Sequence, residues 1–279
     1  MVILEGKVAF VTGGGRGIGQ ALAMALGDAG VHVAVSARTV DQINETATMI
    51  RDAGGKAIAV QTDVSDATSV ENAVSLTKDE IGPVDILVNN AGVVGHALAL
   101  WETDPDEWWQ AQEINLRGTY LCSRAVIPEM ITRNSGRIIN VSSGNAYTSH
   151  PYASAYGASK AGVTHFSNTL ARELSAYAIP VFAYAPGLVQ TEMLEYAAYS
   201  QQVDERLREF FRTRAESGNM TPMASTVATF MQLVSGEFDV LSGCHVHVDD
   251  DLDQMKSSVG NSNPDRLYML TRKEPPSDA

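Results

Sequence analysis

Seven short runs rich in Val, Ile, Ala and Leu, at 7–12, 31–36, 57–61, 85–90, 137–142, 181–185 and 244–248, alternate with longer stretches of mixed polarity. Runs nearly continuous in apolar residues read as parallel strands covered on both faces. The stretches at 19–29, 40–53, 67–81, 105–133 and 154–178 carry helical patterns. Strand then helix, repeated, demands right-handed crossovers and an open sheet. The spacing predicts an α/β fold, a Rossmann-type doubly wound parallel sheet of about seven strands with helices on both faces.

No Gly/Ser-rich or Pro-rich linker divides the 279 residues and no repeat recurs, so residues 1–250 are expected to form one domain. Two segments break the rhythm. Residues 188–220, rich in Tyr, Glu and Arg, read as one or two helices forming a mobile flap over a substrate site. Residues 251–279 are acidic, then rich in Ser and Asn, and read as a tail that packs partly on a neighbour or frays.

Composition narrows the function. Twenty basic against 33 acidic side chains leave a formal charge of −13, which argues against a general nucleic-acid or membrane-surface role. No apolar run approaches the ~20 residues that span a bilayer, and the start, MVILEGKVAFVTGG, lacks the pattern of a leader. The expectation is a cytoplasmic protein acting on a small molecule, with neither nucleic acid nor membrane as partner. Cys122 and Cys244 stand far apart in apolar segments and read as buried free thiols. His245 and His247 precede Asp249, Asp250, Asp251 and Asp253, but no third ligand has a defined spacing, so no metal is expected.

The first strand runs straight into a glycine-rich turn, Gly13-Gly14-Gly15-Arg16-Gly17-Ile18-Gly19, and a helix pattern follows at once. Such a turn lets backbone approach a pyrophosphate seated on the helix N-terminus. Gly13, Gly15, Arg16, Gly17, Ile18 and Gly19 are therefore candidate cofactor contacts. At the end of the second strand stand Ser36 and Arg38, where a fold of this kind that binds NAD usually carries Asp or Glu. A guanidinium with a hydroxyl suits a 2′-phosphate instead, and Arg16 could reach it too. NADP(H) is the preferred cofactor, with NAD(H) left open. Tyr156 and Lys160, four apart in a helical pattern, share one helix face, where the ammonium, together with the positive charge of oxidised nicotinamide, favours the phenolate and should lower the phenol pKa.

Together these motifs resemble the short-chain dehydrogenase/reductase family over nearly the whole chain. Beside TGGGRGIG the sequence has Asp63-Val64, the NNAG motif at 89–92, Asn115, Ser142-Ser143, the YGASK motif at 156–160 and PGLVQT at 186–191, in order. The resemblance implies that Asp63 and Val64 hold the adenine and that Asn90, Ala91 and Gly92 border the cofactor ribose. It further implies that Pro186, Gly187, Val189 and Thr191 border the nicotinamide, with Thr191 on its carboxamide. Catalysis would fall to Asn115, Ser143, Tyr156 and Lys160. Ser143 would hold the substrate oxygen, Tyr156 act as general acid/base, Lys160 bind the ribose, and Asn115 hold a water in the proton relay. It also suggests a homo-oligomer, a tetramer or dimer, in which Trp101, Trp108 and Trp109 are packing or interface residues.

The implied reaction interconverts a carbonyl compound and an alcohol. Ser143, Asn145, Tyr147, Leu188 and Met193 are candidate substrate contacts, with Val94, Tyr152, Tyr196 and Tyr199 as further walls. Such an apolar, aromatic lining suits a ketone, a cyclic alcohol, a steroid-like or an acyl-chain carbonyl; a carboxylate would want a basic residue such as Arg206. His96 and His150 are expected to flank the mouth. Two other classes stay open: a non-catalytic NADP-binding sensor or scaffold, and a lyase or epimerase on the same fold. Only a reductase would consume NADPH stoichiometrically.

Overall fold

The computed structural model describes residues 3–261. Seven strands form one sheet: β1 (Val8–Thr12), β2 (His32–Ala37), β3 (Lys56–Gln61), β4 (Ile86–Asn89), β5 (Arg137–Val141), β6 (Val181–Ala185) and β7 (His245–His247). All pairs are parallel, in the order β3-β2-β1-β4-β5-β6-β7. The helices are α1 (Gly17–Asp28), α2 (Val40–Asp52), α3 (Ala67–Ile81), α4 (Pro105–Gln112), α5 (Gly118–Arg133), α6 (Ser154–Glu173), α7 (Glu192–Tyr199), α8 (Glu205–Glu216), α9 (Met223–Val234) and α10 (Leu252–Asn261). The winding reverses between β1 and β4, which opens a crevice beyond the carboxyl ends of those strands.

Strand alternation divides the core. Ala9 and Val11 of β1 face a layer with Leu22, Ile50 and Phe230, while Phe10 between them faces Val126, Met130 and Leu170. Each central strand is therefore buried at every position, which is why the sequence runs are mostly continuous in apolar residues rather than alternating.

Three boundaries differ from the sequence expectation. The pattern at 105–133 is interrupted by a π turn, Glu113–Arg117, where one extra residue per turn rotates Asn115 inward. The pattern at 154–178 stops as helix at Glu173, and turns built on Leu174 return the chain to β6. The segment after Asp251 begins as α10, whose Leu252, Met255 and Val259 lie three and four apart and join the core, the helix packing on the turn at Asp239–Leu241. Packing of that stripe outweighs its polar composition. The rest of the expected tail, residues 262–279, lies outside the described residues.

Cys122 and Cys244 are free and buried, and burial pushes their thiols up to about 12 and about 11. His247 pairs with Asp249 at 3.4 Å. Among the described residues no group of three or more His, Cys, Asp or Glu is gathered for a metal. No described helix is long and apolar enough to cross a membrane. The Trp108 indole N–H donates to Ser154 Oγ at 3.0 Å, whereas Trp101 and Trp109 are exposed.

Met255 is 1% exposed. Met255→Ala is expected to cost about 2–4 kcal/mol in denaturant unfolding. A loss below about 0.5 kcal/mol would show that α10 is not seated on the core.

Candidate active site

The crevice is a cavity of about 490 Å³ whose floor is the turn after β1 joined to the turn after β4. Thr12 Oγ1 accepts from the backbone N–H groups of Asn90 and Ala91, both at 3.0 Å. Asn90 Nδ2 donates back to the carbonyls of Thr12 and Gly13 at 3.0 and 3.1 Å. That contact leaves no room for side chains. A Cβ on Gly13 would come within 2.9 Å of Ala91 Cα, and one on Gly19 within 2.1 Å of the Gly13 carbonyl oxygen. The glycines thus serve loop-to-loop packing before they serve any ligand.

Gly13, Gly15, Arg16, Gly17, Ile18, Gly19, Arg38, Asp63, Val64, Asn90, Ala91, Gly92, Pro186, Gly187, Val189 and Thr191 all line this cavity, as do Tyr156 and Lys160. Ser36 does not; it is fully buried in β2 and its hydroxyl has no partner, while Ala37, Arg38, Thr39 and Gln42 form the wall there. Alternation along β2 turns Ser36 away from the cleft.

The lining fits a dinucleotide phosphate. No side chain caps the first turn of α1, so its free N–H groups open on the cavity. Arg38 makes no ion pair with a described carboxylate. The nearby Asp63 is held below the usual carboxylate range mainly by the Ser65 hydroxyl at 2.6 Å, with Arg38 contributing. Arg16 is instead paired with Glu192 at the start of α7, which ties the glycine turn to the flap.

At the other end, Tyr156 and Lys160 stand on α6 as their spacing requires, with the Lys160 Nζ 5.6 Å from the Tyr156 ring centroid. The ammonium donates to the Val141 carbonyl at 2.8 Å. Ser143 lines the cavity beside Tyr156, and its hydroxyl accepts from Asn145 N–H at 3.2 Å, while Ser142 turns to Thr164 at 2.6 Å, as strand alternation predicts. Asn115 accepts from Val93 N–H at 2.8 Å and donates to Val93 O and Ser159 Oγ, both at 2.9 Å. Its side chain fastens the π turn to α6 and to the loop after β4.

Of the two charges expected to lower the Tyr156 pKa, the protein itself supplies only the ammonium, and the ammonium alone does not lower it. Burial pushes the phenol up, the Ser143 hydroxyl pulling the other way, and burial brings the Lys160 ammonium down to about 8. The same scarcity of water that would strengthen their attraction penalises both charges. Lys160 also directs its protons at a backbone carbonyl rather than at the phenolic oxygen.

The substrate side differs most from the sequence reading. Ser143, Asn145, Leu188, Met193 and Val94 line the cavity, but Tyr147 does not. The turn at Gly144–Ala146 swings Tyr147 outward, edge-on to His245 with ring centroids 4.6 Å apart. His245 is itself buried, which takes its imidazole down to about 4. Tyr152, Tyr196 and Tyr199 are also off the wall. Tyr152 lies under Arg206, the Tyr196 hydroxyl donates to Gln202, and Tyr199 is exposed. His150 reaches the cavity, while His96 turns to Glu107 at 3.6 Å.

The aromatic wall comes instead from α8, whose Leu207, Phe210, Phe211 and Arg214 line the cavity. Their spacing of i, i+3, i+4 and i+7 marks one helix face, a signal present in the sequence. The flap is two helices fastened to the loop after β4 by a parallel bridge between Ala97 and Val203. Ala97, Ala153, Val203 and Leu207 make a small core beneath it.

The comparisons agree with this geometry. Residues 7–202 match the family model described as short chain dehydrogenase. A short chain dehydrogenase of Pseudocercospora fijiensis is 36% identical over 279 residues, covering 96% of this chain and 89% of the relative. The crystal structure of a variant actinorhodin polyketide ketoreductase with NADPH superposes with a TM-score of 0.79 at 29% identity, covering 89% of this chain and 97% of that one. A gluconate 5-dehydrogenase from Burkholderia cenocepacia, in complex with NADP and tartrate, gives 0.79 at 29% identity, covering 90% and 96%. Sheet order, glycine turn and sequence similarity over most of the chain together make this protein a member of the short-chain dehydrogenase/reductase family of oxidoreductases.

Proposed function

We propose that the protein is an NADP(H)-dependent enzyme that interconverts a ketone and a secondary alcohol, with Tyr156 as general acid/base. The observation that carries this reading is one cavity with two equipped ends. A free helix N-terminus and Arg38 stand at one end, and Ser143, Tyr156 and Lys160 meet at the other. NADPH, when bound, supplies the hydride; every other task falls to side chains. Two neighbours with NADPH or NADP in their structures support the choice of cofactor.

Ser143 and Tyr156 would hold the carbonyl oxygen between two hydroxyls. A phenol raised by burial is protonated at neutral pH and stands ready to give its proton to the developing alkoxide. Lys160, anchored on the Val141 carbonyl, would present its remaining protons to the cofactor ribose and replenish Tyr156. Asn115 would keep α6 in register and hold water for that relay.

Tyr156→Phe is expected to lower kcat by about 10²–10⁴-fold while the NADPH Kd, read by nucleotide fluorescence, stays within about twofold. Residual activity within about tenfold of the parent would sink the assignment. Arg38→Ala should weaken NADPH by at least about tenfold and leave NADH nearly unchanged, since only the former has a 2′-phosphate. Equal loss for both nucleotides would remove Arg38 from that role.

A further inference from the structure

The four arginines of α8 do not behave alike. Arg206 pairs with Asp204 at 3.1 Å, Arg212 pairs with Glu205 and Glu209 at 2.6 and 3.3 Å, and Arg208 is paired with Glu205. Arg214 has no carboxylate within ion-pair distance among the described residues. Three ion-paired arginines lie off the cavity wall, whereas Arg214 follows Leu207, Phe210 and Phe211 on the face that forms it. Its guanidinium stands over the Phe210 ring, 5.1 Å from the centroid, and His150 lies against the same ring at 5.4 Å. The only carboxylate of α7 or α8 on the cavity wall, Glu192, is occupied by Arg16.

We propose that the substrate is an apolar carbonyl compound, or the matching alcohol, carrying a carboxylate remote from the reacting carbon, and that Arg214 reads this carboxylate. The inference rests on the ketone–alcohol reading above and narrows its substrate class. Phe210 and Phe211 supply apolar contact for the body of the molecule. The guanidinium, laid over an aromatic face, is held in a plane suited to two parallel hydrogen bonds with a carboxylate. On a chain of net charge −13, an unpaired cation at the mouth also offsets the field that would repel an anionic substrate. The reaction balances without further reagents: ketone, NADPH and a proton give alcohol and NADP⁺, and the carboxylate is unchanged. Arg214 is thus a specificity residue and takes no part in bond making.

The test compares 4-acetylbenzoate with its methyl ester, which share the ketone and the ring and differ in charge. The parent is expected to show a kcat/KM for the acid at least about tenfold above that for the ester. Arg214→Gln should collapse this ratio towards unity, and Arg214→Lys should retain part of it. A parent ratio at or below unity, or an Arg214→Gln ratio equal to that of the parent, overturns the inference. Calorimetric titration of both compounds into Tyr156→Phe with NADP⁺ reads the same preference without turnover. Preference in binding with no reduction by the parent would overturn the ketone reading and leave the carboxylate contact standing. Reduction of both compounds with no preference would do the reverse.

Discussion

The hydrogen bonds between Thr12 and Asn90 hold together the two strand ends from which the cleft is built. At β1 and β4 the helices leave on opposite faces of the sheet, α1 into the layer with Leu22 and Phe230 and α5 into the layer with Val126 and Met130, so the turns at these strand ends face the crevice between them. Thr12 Oγ1 gathers two backbone N–H groups, and Asn90 Nδ2 returns two bonds to the carbonyls of the glycine turn. Each such bond contributes about 1 kcal/mol net, but leaving a buried partner unmade costs about 1–3 kcal/mol. The turn therefore has one low-energy position, and the N-terminus of α1 points into the crevice because of it.

A second buried network sets the other wall. Asn89 Nδ2 donates to Asn140 Oδ1 at 2.8 Å and lies 3.1 Å from Ser123 Oγ, while Asn140 reaches Ser167 on α6 at 2.9 Å. With Asn115 on Ser159, these bonds fix α5 and α6 against the sheet at defined heights, which apolar contact alone would leave free to slide. The height of α6 decides where Tyr156 and Lys160 meet Ser143. Specificity of packing in the interior thus becomes precision in the site.

Much of this was legible in the chain. The continuous apolar runs gave the strands to within two residues because central parallel strands are buried on both faces. The glycine turn, NNAG and the Tyr156–Lys160 spacing are local patterns, and the structure brings them to one cavity. What was not legible depends on rotation and burial. Tyr147, Tyr152, Tyr196 and Tyr199 look like pocket walls by composition, yet the phase of each element turns them elsewhere. Phe210 and Phe211 take their place because α8 packs by its apolar stripe over Ala97 and Val203. Ser36 was misplaced for the same reason, by one step of strand alternation.

The ionisation of Tyr156 shows why a motif does not carry its own chemistry. Four residues of helical spacing place an ammonium near a phenol, and in water that would favour the phenolate. Inside the protein Lys160 is 4% exposed and Tyr156 is half-buried, and burial takes the amine down to about 8 and the phenol up. Desolvation grows with burial for both groups, while their attraction is divided with the Val141 carbonyl, which takes a Lys160 proton at 2.8 Å. A neutral phenol is the resting form under these terms. Positive charge from beyond the pair, as on an oxidised nicotinamide, would favour the phenolate, so the acid–base role proposed for Tyr156 is coupled to occupation of the cavity.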